Sequence, residues 1–198
     1  MNYWIFDNII DKNIQDKLEK YFLNSYFCPW VYHPKTVEYN EWLKNISRFN
    51  LSKNLTDNIK DEPYFVNSIV SGEKVNNKDI GPTCAELILQ FKQRADFPIG
   101  DIIRMKSNLT LQKDNGDRYN YIHIDEDTEH YSLIYYINDT DGNTVLCNNT
   151  DIVKEVEPKK GRILAFDGDV LHANRMPKNS KARCILNINM TKEVYNGN

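Results

Sequence analysis

From residue 100 onward, apolar residues recur at every second position in short runs separated by turn formers. Such runs bury their apolar faces only by pairing strand against strand, so they predict a sandwich or barrel of antiparallel strands. They cover 101–112, 119–124, 131–138, 144–147, 153–157, 162–166 and 183–190. Asp141-Gly142, between the third and fourth runs, is a hairpin signal, and Pro158-Lys159-Lys160-Gly161 marks another turn. In 101–112 one face is Ile103, Met105, Ser107, Leu109 and Leu111, and the other is Arg104, Lys106, Asn108 and Thr110. The last run repeats the division, with Cys184, Leu186, Ile188 and Met190 opposed to Arg183, Ile185, Asn187 and Asn189. A polar face on a single strand is ordinarily solvated. Several together can instead line a polar cavity.

Ahead of these runs the period is helical. Ile10, Ile14, Leu18, Tyr21 and Phe22 form one apolar stripe across 11–24. A second helix follows Gly81-Pro82: Thr83-x-x-Glu86 reads as a capping box, and Leu87, Ile88, Phe91 and Ala95 trace one face until Pro98. Between them, 29–74 gives mixed signals, with a strand at 64–70. The chain of 198 residues carries no repeat, linker or block of like charge, so it is expected to be one domain, 1–198, mainly β with flanking helices. Residues 1–99 are its helix-bearing N-terminal support and 100–191 its core.

Lys and Arg number 25 against 28 Asp and Glu, a net charge of -3. That balance argues against a nucleic-acid coat or a polybasic membrane module, whose affinity rests on neutralising phosphates. Cys28, Cys84, Cys147 and Cys184 are dispersed, with no C-x-x-C, and read as reduced thiols. The first 13 residues lack a basic stretch followed by an apolar one, and no run approaches a membrane span. A cytoplasmic location without membrane attachment is expected. Only four His are present, so imidazole chemistry has few candidates.

His123 and Asp125 stand at i and i+2 near the end of a strand-like run, so both side chains point to one face. His172 offers a third ligand. Two imidazoles and a carboxylate on one side of a metal form the facial triad of non-haem Fe(II) oxygenases, whose open positions admit a bidentate co-substrate and dioxygen. H-x-D alone is a weak signal, and a strand His is more often packed or on the surface. Arg183, eleven residues after His172, offers a fork for the distal carboxylate of a dicarboxylic keto acid, or an ordinary surface salt bridge.

The ordered set His123-x-Asp125, His172, Arg183 resembles the H-x-D…H…R signature of 2-oxoglutarate and Fe(II)-dependent dioxygenases. The run 132–138 with Asp141-Gly142-Asn143-Thr144 is similar to a segment of the prolyl 4-hydroxylase-like branch, and 158–166 resembles the lead-in to that family's distal histidine. The resemblance implies a double-stranded β-helix, a distorted jelly roll, with helices on the outer face of the larger sheet and the site between the sheets at the open end. It implies His123, Asp125 and His172 as iron ligands, Arg183 and Tyr136 on the distal carboxylate of 2-oxoglutarate, and Asn108 near that co-substrate. Fe(II), 2-oxoglutarate and dioxygen would serve to hydroxylate a C–H bond of a peptidyl substrate, prolyl among them, or of a small molecule, with succinate as co-product. Two departures stand out. The spacing of eleven from His172 to Arg183 implies an extra loop residue in 174–181, and Asn189 occupies a place where some relatives carry an aromatic.

Two rivals remain at this stage: an oxygenase acting on nucleic acid, which the net charge disfavours, and a jelly-roll module that keeps metal ligands without turnover. Asp139-x-Asp141-x-Asn143 is no calcium loop, since its Gly falls at the fourth position and no Glu at the twelfth. Glu126 would point away from Asp125's face, Asp127 could support the site from behind, His33 and His130 read as packing or surface residues, and Arg175 as a solvated loop residue, with a substrate contact at the cavity mouth as the sharper alternative.

Overall fold

The computed structural model describes residues 1–114 and 118–193. In chain order the elements are β1 (Tyr3–Phe6), α1 (Lys12–Asn24), β2 (Val31–His33), α2 (Tyr39–Phe49), α3 (Lys53–Thr56), β3 (Tyr64–Ser71), β4 (Lys74–Val75) and α4 (Gly81–Ala95). They continue with β5 (Ile99–Leu111), β6 (Tyr131–Tyr136), β7 (Thr144–Cys147), β8 (Ile152–Val156), β9 (Ile163–Asp167), β10 (Leu171–Asn174) and β11 (Ala182–Lys192).

An eight-stranded sheet runs β1-β9-β6-β11-β5-β3-β2, with β4 on β3, and a three-stranded sheet runs β10-β7-β8. From β5 onward the chain passes back and forth between the two sheets, which is the winding of a double-stranded β-helix. The 119–124 run lies beside β10, joined by bridges from Tyr119 to Arg175 and from His123 to His172 and by the Asn120 N–H on the Asn174 carbonyl. The N-terminal half supplies strands as well as helices, since β1 to β4 extend the larger sheet at both margins.

Alternation on each strand decides what it buries. The outer face of the larger sheet presents Met105, Leu133, Tyr135, Cys184, Leu186 and Ile188 to Leu18 and Phe22 of α1 and Leu87 and Phe91 of α4. Each fully buried Leu or Phe there contributes roughly 1.5–3 kcal/mol. The smaller sheet has its own cover, because Trp42 of α2 and Leu55 of α3 pack on Val145, Cys147, Leu171 and Ala173. The N-terminal helices therefore cover both sheets, not the larger alone. Between the sheets, Ile134, Tyr136, Leu146, Leu164, Phe166 and Ile185 close one end of the sandwich.

Two local expectations fail. Asp141-Gly142 does not close a hairpin, since β6 lies in the larger sheet and β7 in the smaller one. The Asp141 carboxylate instead accepts from the backbone N–H groups of Lys178, Asn179 and Ser180 at 3.2, 2.7 and 3.1 Å, tying the crossover to the β10–β11 loop. The capping box at Thr83 is not used either: α4 already begins at Gly81, with Pro82 in its first turn, where a missing N–H costs nothing. Asn77 Oδ1 serves that terminus, accepting from the amides of Asp79 and Ile80.

One buried group in this core has no partner. The Tyr135 hydroxyl lies against α1 and α4 without a hydrogen bond. Removing a buried, unpaired donor recovers its desolvation cost. Tyr135→Phe should therefore raise the urea midpoint, by about 1 kcal/mol of stability; a lowered midpoint would show that the hydroxyl is satisfied in solution.

Candidate metal centre and co-substrate cavity

His123 and His172 face each other across an antiparallel bridge in which each backbone N–H donates to the other's carbonyl at 3.0 Å. Directly opposed strand residues share a face, and here the imidazole centroids stand 4.7 Å apart. The two rings are oriented alike. His123 Nδ1 lies 2.8 Å from the carbonyl of Tyr121 and His172 Nδ1 3.0 Å from that of Val170, two residues upstream in each case. A carbonyl only accepts, so both Nδ1 atoms carry the proton and both Nε2 lone pairs are free.

Two residues beyond His123, Asp125 turns its carboxylate to the same point. One ligand atom from each of His123, Asp125 and His172 falls within 4.8 Å of the others, with His172 Nε2 3.7 Å from Asp125 Oδ2. The Asp125 side chain is only 3% exposed, and a buried carboxylate needs compensation. It receives Ser132 Oγ at 3.0 Å, Asn189 Nδ2 at 3.1 Å, Asn187 Nδ2 at 3.2 Å and Arg104 Nη2 at 3.2 Å. Burial by itself would raise the Asp125 carboxyl, but the opposing pull of His172, Lys106, His123 and Arg104 holds it far below the usual carboxylate range. Burial pushes His123 down to about 4, and the neighbouring His172 adds to that, so its imidazole is neutral near pH 7. Two imidazoles with free Nε2 atoms and one buried, ionised carboxylate are the donor set a divalent transition metal requires.

His130 was expected to pack or face solvent, and it is buried, but it also belongs to this network. Its Nδ1 lies 2.7 Å from the Thr128 carbonyl and its Nε2 3.1 Å from Ser132 Oγ, the hydroxyl that donates to Asp125. Arg104 pairs with Glu126 at 3.0 Å at the rim. Asp127 turns outward to Arg48 and does not reach the ligands. Arg175 lies over the Tyr119 ring and pairs with Glu155.

The ligand atoms open into a cavity of about 410 Å³ between the sheets, within the range of small-ligand sites. The polar faces of β5 and β11 form its wall: Arg104, Lys106, Asn108 and Thr110 from one, Arg183, Ile185 and Asn187 from the other. Those faces line a cavity and are not simply solvated. Arg183 lies at the end away from Asp125, about 14 Å along the strand from Asn187. It is 2% exposed, donates from Nε to the Gly142 carbonyl at 2.7 Å and from Nη2 to Thr144 Oγ1 at 2.9 Å, and has no carboxylate partner among the described residues. A guanidinium buried without an anion is costly unless a ligand supplies one.

Tyr136 lies behind this point. Its hydroxyl donates to Thr144 Oγ1 at 2.8 Å, and it is absent from the cavity wall. Thr144 Oγ1 thus accepts from both Tyr136 and Arg183, which leaves its own proton to donate into the cavity it lines. Asn108 does line the cavity, and its Oδ1 is buried without a partner. In the sequence Asn187 and Asn189 were visible as polar positions on a strand face, Asn189 also as a departure from relatives, and Ser132 only within its run; nothing in the spacing ties His130 to Asp125.

No protein-family model matches the sequence, and no curated protein matches it. Solved structures do. A member of the 2OG-Fe(II) oxygenase family from Burkholderia pseudomallei superposes with a TM-score of 0.64 at 12% identity, over 96% of this chain and 84% of that one. A prolyl hydroxylase from Trichoplax adhaerens, solved with a hypoxia inducible factor peptide fragment, gives 0.58 at 15% identity over 96% and 83%. A viral collagen prolyl hydroxylase from Paramecium Bursaria Chlorella virus-1 gives 0.52 at 15% identity over 98% and 97%. At such identities the likeness is one of fold: the chain has the double-stranded β-helix of the 2-oxoglutarate/Fe(II) oxygenases, with a His-Asp-His triad inside it.

Gly142 holds the Arg183 end together. A Cβ there would lie 2.9 Å from the Arg175 carbonyl and 2.9 Å from Arg183 Cδ. Gly142→Ala should lower stability by about 1–3 kcal/mol in denaturant melts, and an unchanged midpoint would show that the Arg183 stem is not clamped here.

Proposed function

We propose that the protein is an Fe(II)- and 2-oxoglutarate-dependent dioxygenase that hydroxylates a C–H bond of a peptidyl or small-molecule substrate. One observation carries the reading: three convergent ligand atoms and a buried guanidinium without an anion open into the same cavity. His123 Nε2, the Asp125 carboxylate and His172 Nε2 would hold the metal, and Arg183 with the Thr144 hydroxyl would take the distal carboxylate of 2-oxoglutarate. Tyr136 acts on that carboxylate through Thr144, and Asn108 borders the same space. Bound Fe(II) with 2-oxoglutarate supplies oxygen activation, in which dioxygen, the keto acid and the substrate C–H become carbon dioxide, succinate and the hydroxylated product.

The chain's own groups orient and shield. The two Nδ1–H bonds fix the imidazole planes before metal arrives, and Ser132, Asn189, Asn187 and Arg104 fix the carboxylate. Ile134 and Ile185 line the cavity from the larger sheet and limit water around the reacting carbon. The rim carries both signs in pairs, Arg48 with Asp127 and Arg104 with Glu126, which favours a peptide or small molecule over a phosphate backbone. A peptidyl substrate, prolyl included, is further supported by the peptide-bound hydroxylase of the same fold. No helix among the described residues is long and apolar enough to cross a membrane, and the four cysteines are free thiols, in keeping with a cytoplasmic setting.

Anaerobic binding measurements test the metal and co-substrate roles separately. Wild type should bind one Fe(II) and one 2-oxoglutarate, and His123→Ala should bind neither tightly; metal binding that survives His123→Ala contradicts the assignment. Arg183→Ala should keep the metal while 2-oxoglutarate affinity falls tenfold or more, the loss of a charged contact of roughly 1.5–3 kcal/mol. Asn189→Ala removes one support of Asp125, and metal affinity should fall by about 10–100-fold. Succinate formed from 2-oxoglutarate under oxygen separates an enzyme from a binding module: a loaded wild type that yields none across peptide and small-molecule panels is not an oxygenase.

A further inference from the structure

One cation in the cavity acts on Asp125 only through space and touches no partner among the described residues. Lys106 sits on β5 directly opposite Asn187 of β11, and both side chains line the cavity. The other cations there are engaged: Arg48 with Asp127, Arg104 with Asp125 and Glu126, Arg183 with Gly142 and Thr144. Lys106 has no hydrogen bond or ion pair among the described residues. Lys106 is half-buried in the cavity wall, and burial lowers its proton affinity against the pull of Asp125.

Charge balance shows what is missing. A divalent metal, the Asp125 carboxylate, dianionic 2-oxoglutarate and the Arg183 guanidinium cancel, so a fully loaded site leaves the Lys106 charge uncompensated in a desolvated place. Asn187 adds a second, independent sign. Its Nδ2 donates to both oxygens of Asp125 at 3.2 Å, and because a carboxylate only accepts, the orientation of the amide is fixed. Asn187 Oδ1 is then buried without a donor. An unpaired cation and an unpaired acceptor stand side by side on adjacent strands, near the ligand atoms.

We propose that Lys106 and Asn187 form a substrate-recognition subsite for a carboxylate accompanied by an N–H donor, the chemistry of an acidic amino acid, free or within a peptide. The proposal rests on the dioxygenase reading and names the substrate class of that same site. Lys106 pairs with the carboxylate as a point charge, and Asn187 Oδ1 accepts the N–H. An acidic group held there would lie at the Asp125 end of the cavity, where Asn187 touches that carboxylate.

The test uses protein loaded with Mn(II) and saturating 2-oxoglutarate, titrated calorimetrically with aspartate and glutamate as free amino acids and as N-acetyl N-methylamides. The neutral asparagine and glutamine counterparts and inorganic phosphate complete the set. At least one acidic compound should bind wild type fivefold or more tightly than its neutral counterpart, and the free and blocked forms tell an amino acid from a peptide residue. Lys106→Met should erase that preference and Lys106→Arg restore it, while 2-oxoglutarate affinity changes less than threefold in either. Equal binding of acidic and neutral forms by wild type overturns the proposal without any variant. So does phosphate binding as tightly as the acids, which would mark a nonspecific anion site, or a loss of 2-oxoglutarate in Lys106→Met as large as in Arg183→Ala, which would give Lys106 to the co-substrate. Protein that binds metal and 2-oxoglutarate but shows no acidic preference refutes this inference alone; protein that binds neither refutes the dioxygenase reading and this inference with it.

Discussion

Two backbone hydrogen bonds between His123 and His172, each 3.0 Å, set where a metal can be held. They fasten the 119–124 segment to β10, and the directly opposed pairing leaves the two imidazoles on one face with no further adjustment. Asp125 follows from the same geometry, because an extended backbone returns the i+2 side chain to that face. If the pairing slipped by one residue, the imidazoles would point to opposite faces and the cluster would not exist. The ligand triad is thus a property of register, and register is held by the apolar cover that Trp42 and Leu55 give to the outer side of the smaller sheet.

The larger sheet provides the complementary half. Its outer face is apolar and packed on α1 and α4, which frees the inner face to be polar. That face presents Asn187, Asn189 and Arg104 to Asp125, so that a carboxylate 3% exposed stays ionised between the sheets. The same strands, at the far end of the cavity, place Arg183 against the Gly142 carbonyl and Thr144. The three convergent ligand atoms come from the smaller sheet and its flanking segment, and the buried guanidinium from the larger. The cavity lies between them.

Much of this was legible in the sequence because period-two alternation is a local signal. The faces of 101–112 and 183–190 could be read residue by residue, and His123, Asp125, His172 and Arg183 fell on faces that the fold brings together. Long-range choices were not local. Asp141-Gly142 reads as a hairpin, yet the Asp141 carboxylate finds better partners in the backbone of 178–180, and the chain crosses to the other sheet instead. The Thr83 capping signal lost to Pro82, which starts the helix earlier. The 29–74 stretch, with α2, α3 and β2 to β4, was opaque because its apolar residues answer to contacts far along the chain, as Trp42 does to Tyr121. His130 reaches Asp125 only through Ser132, and no spacing rule reports such a link.

The central claim is spatial, that one metal and one keto acid occupy the space between these two sheets. Crystals grown anaerobically with Mn(II) and 2-oxoglutarate, measured at the manganese absorption edge, test it directly. The account predicts a single anomalous peak bound by His123 Nε2, Asp125 and His172 Nε2, with the distal carboxylate of 2-oxoglutarate on Arg183. A peak elsewhere, or a keto acid whose distal carboxylate lies away from Arg183, would contradict it.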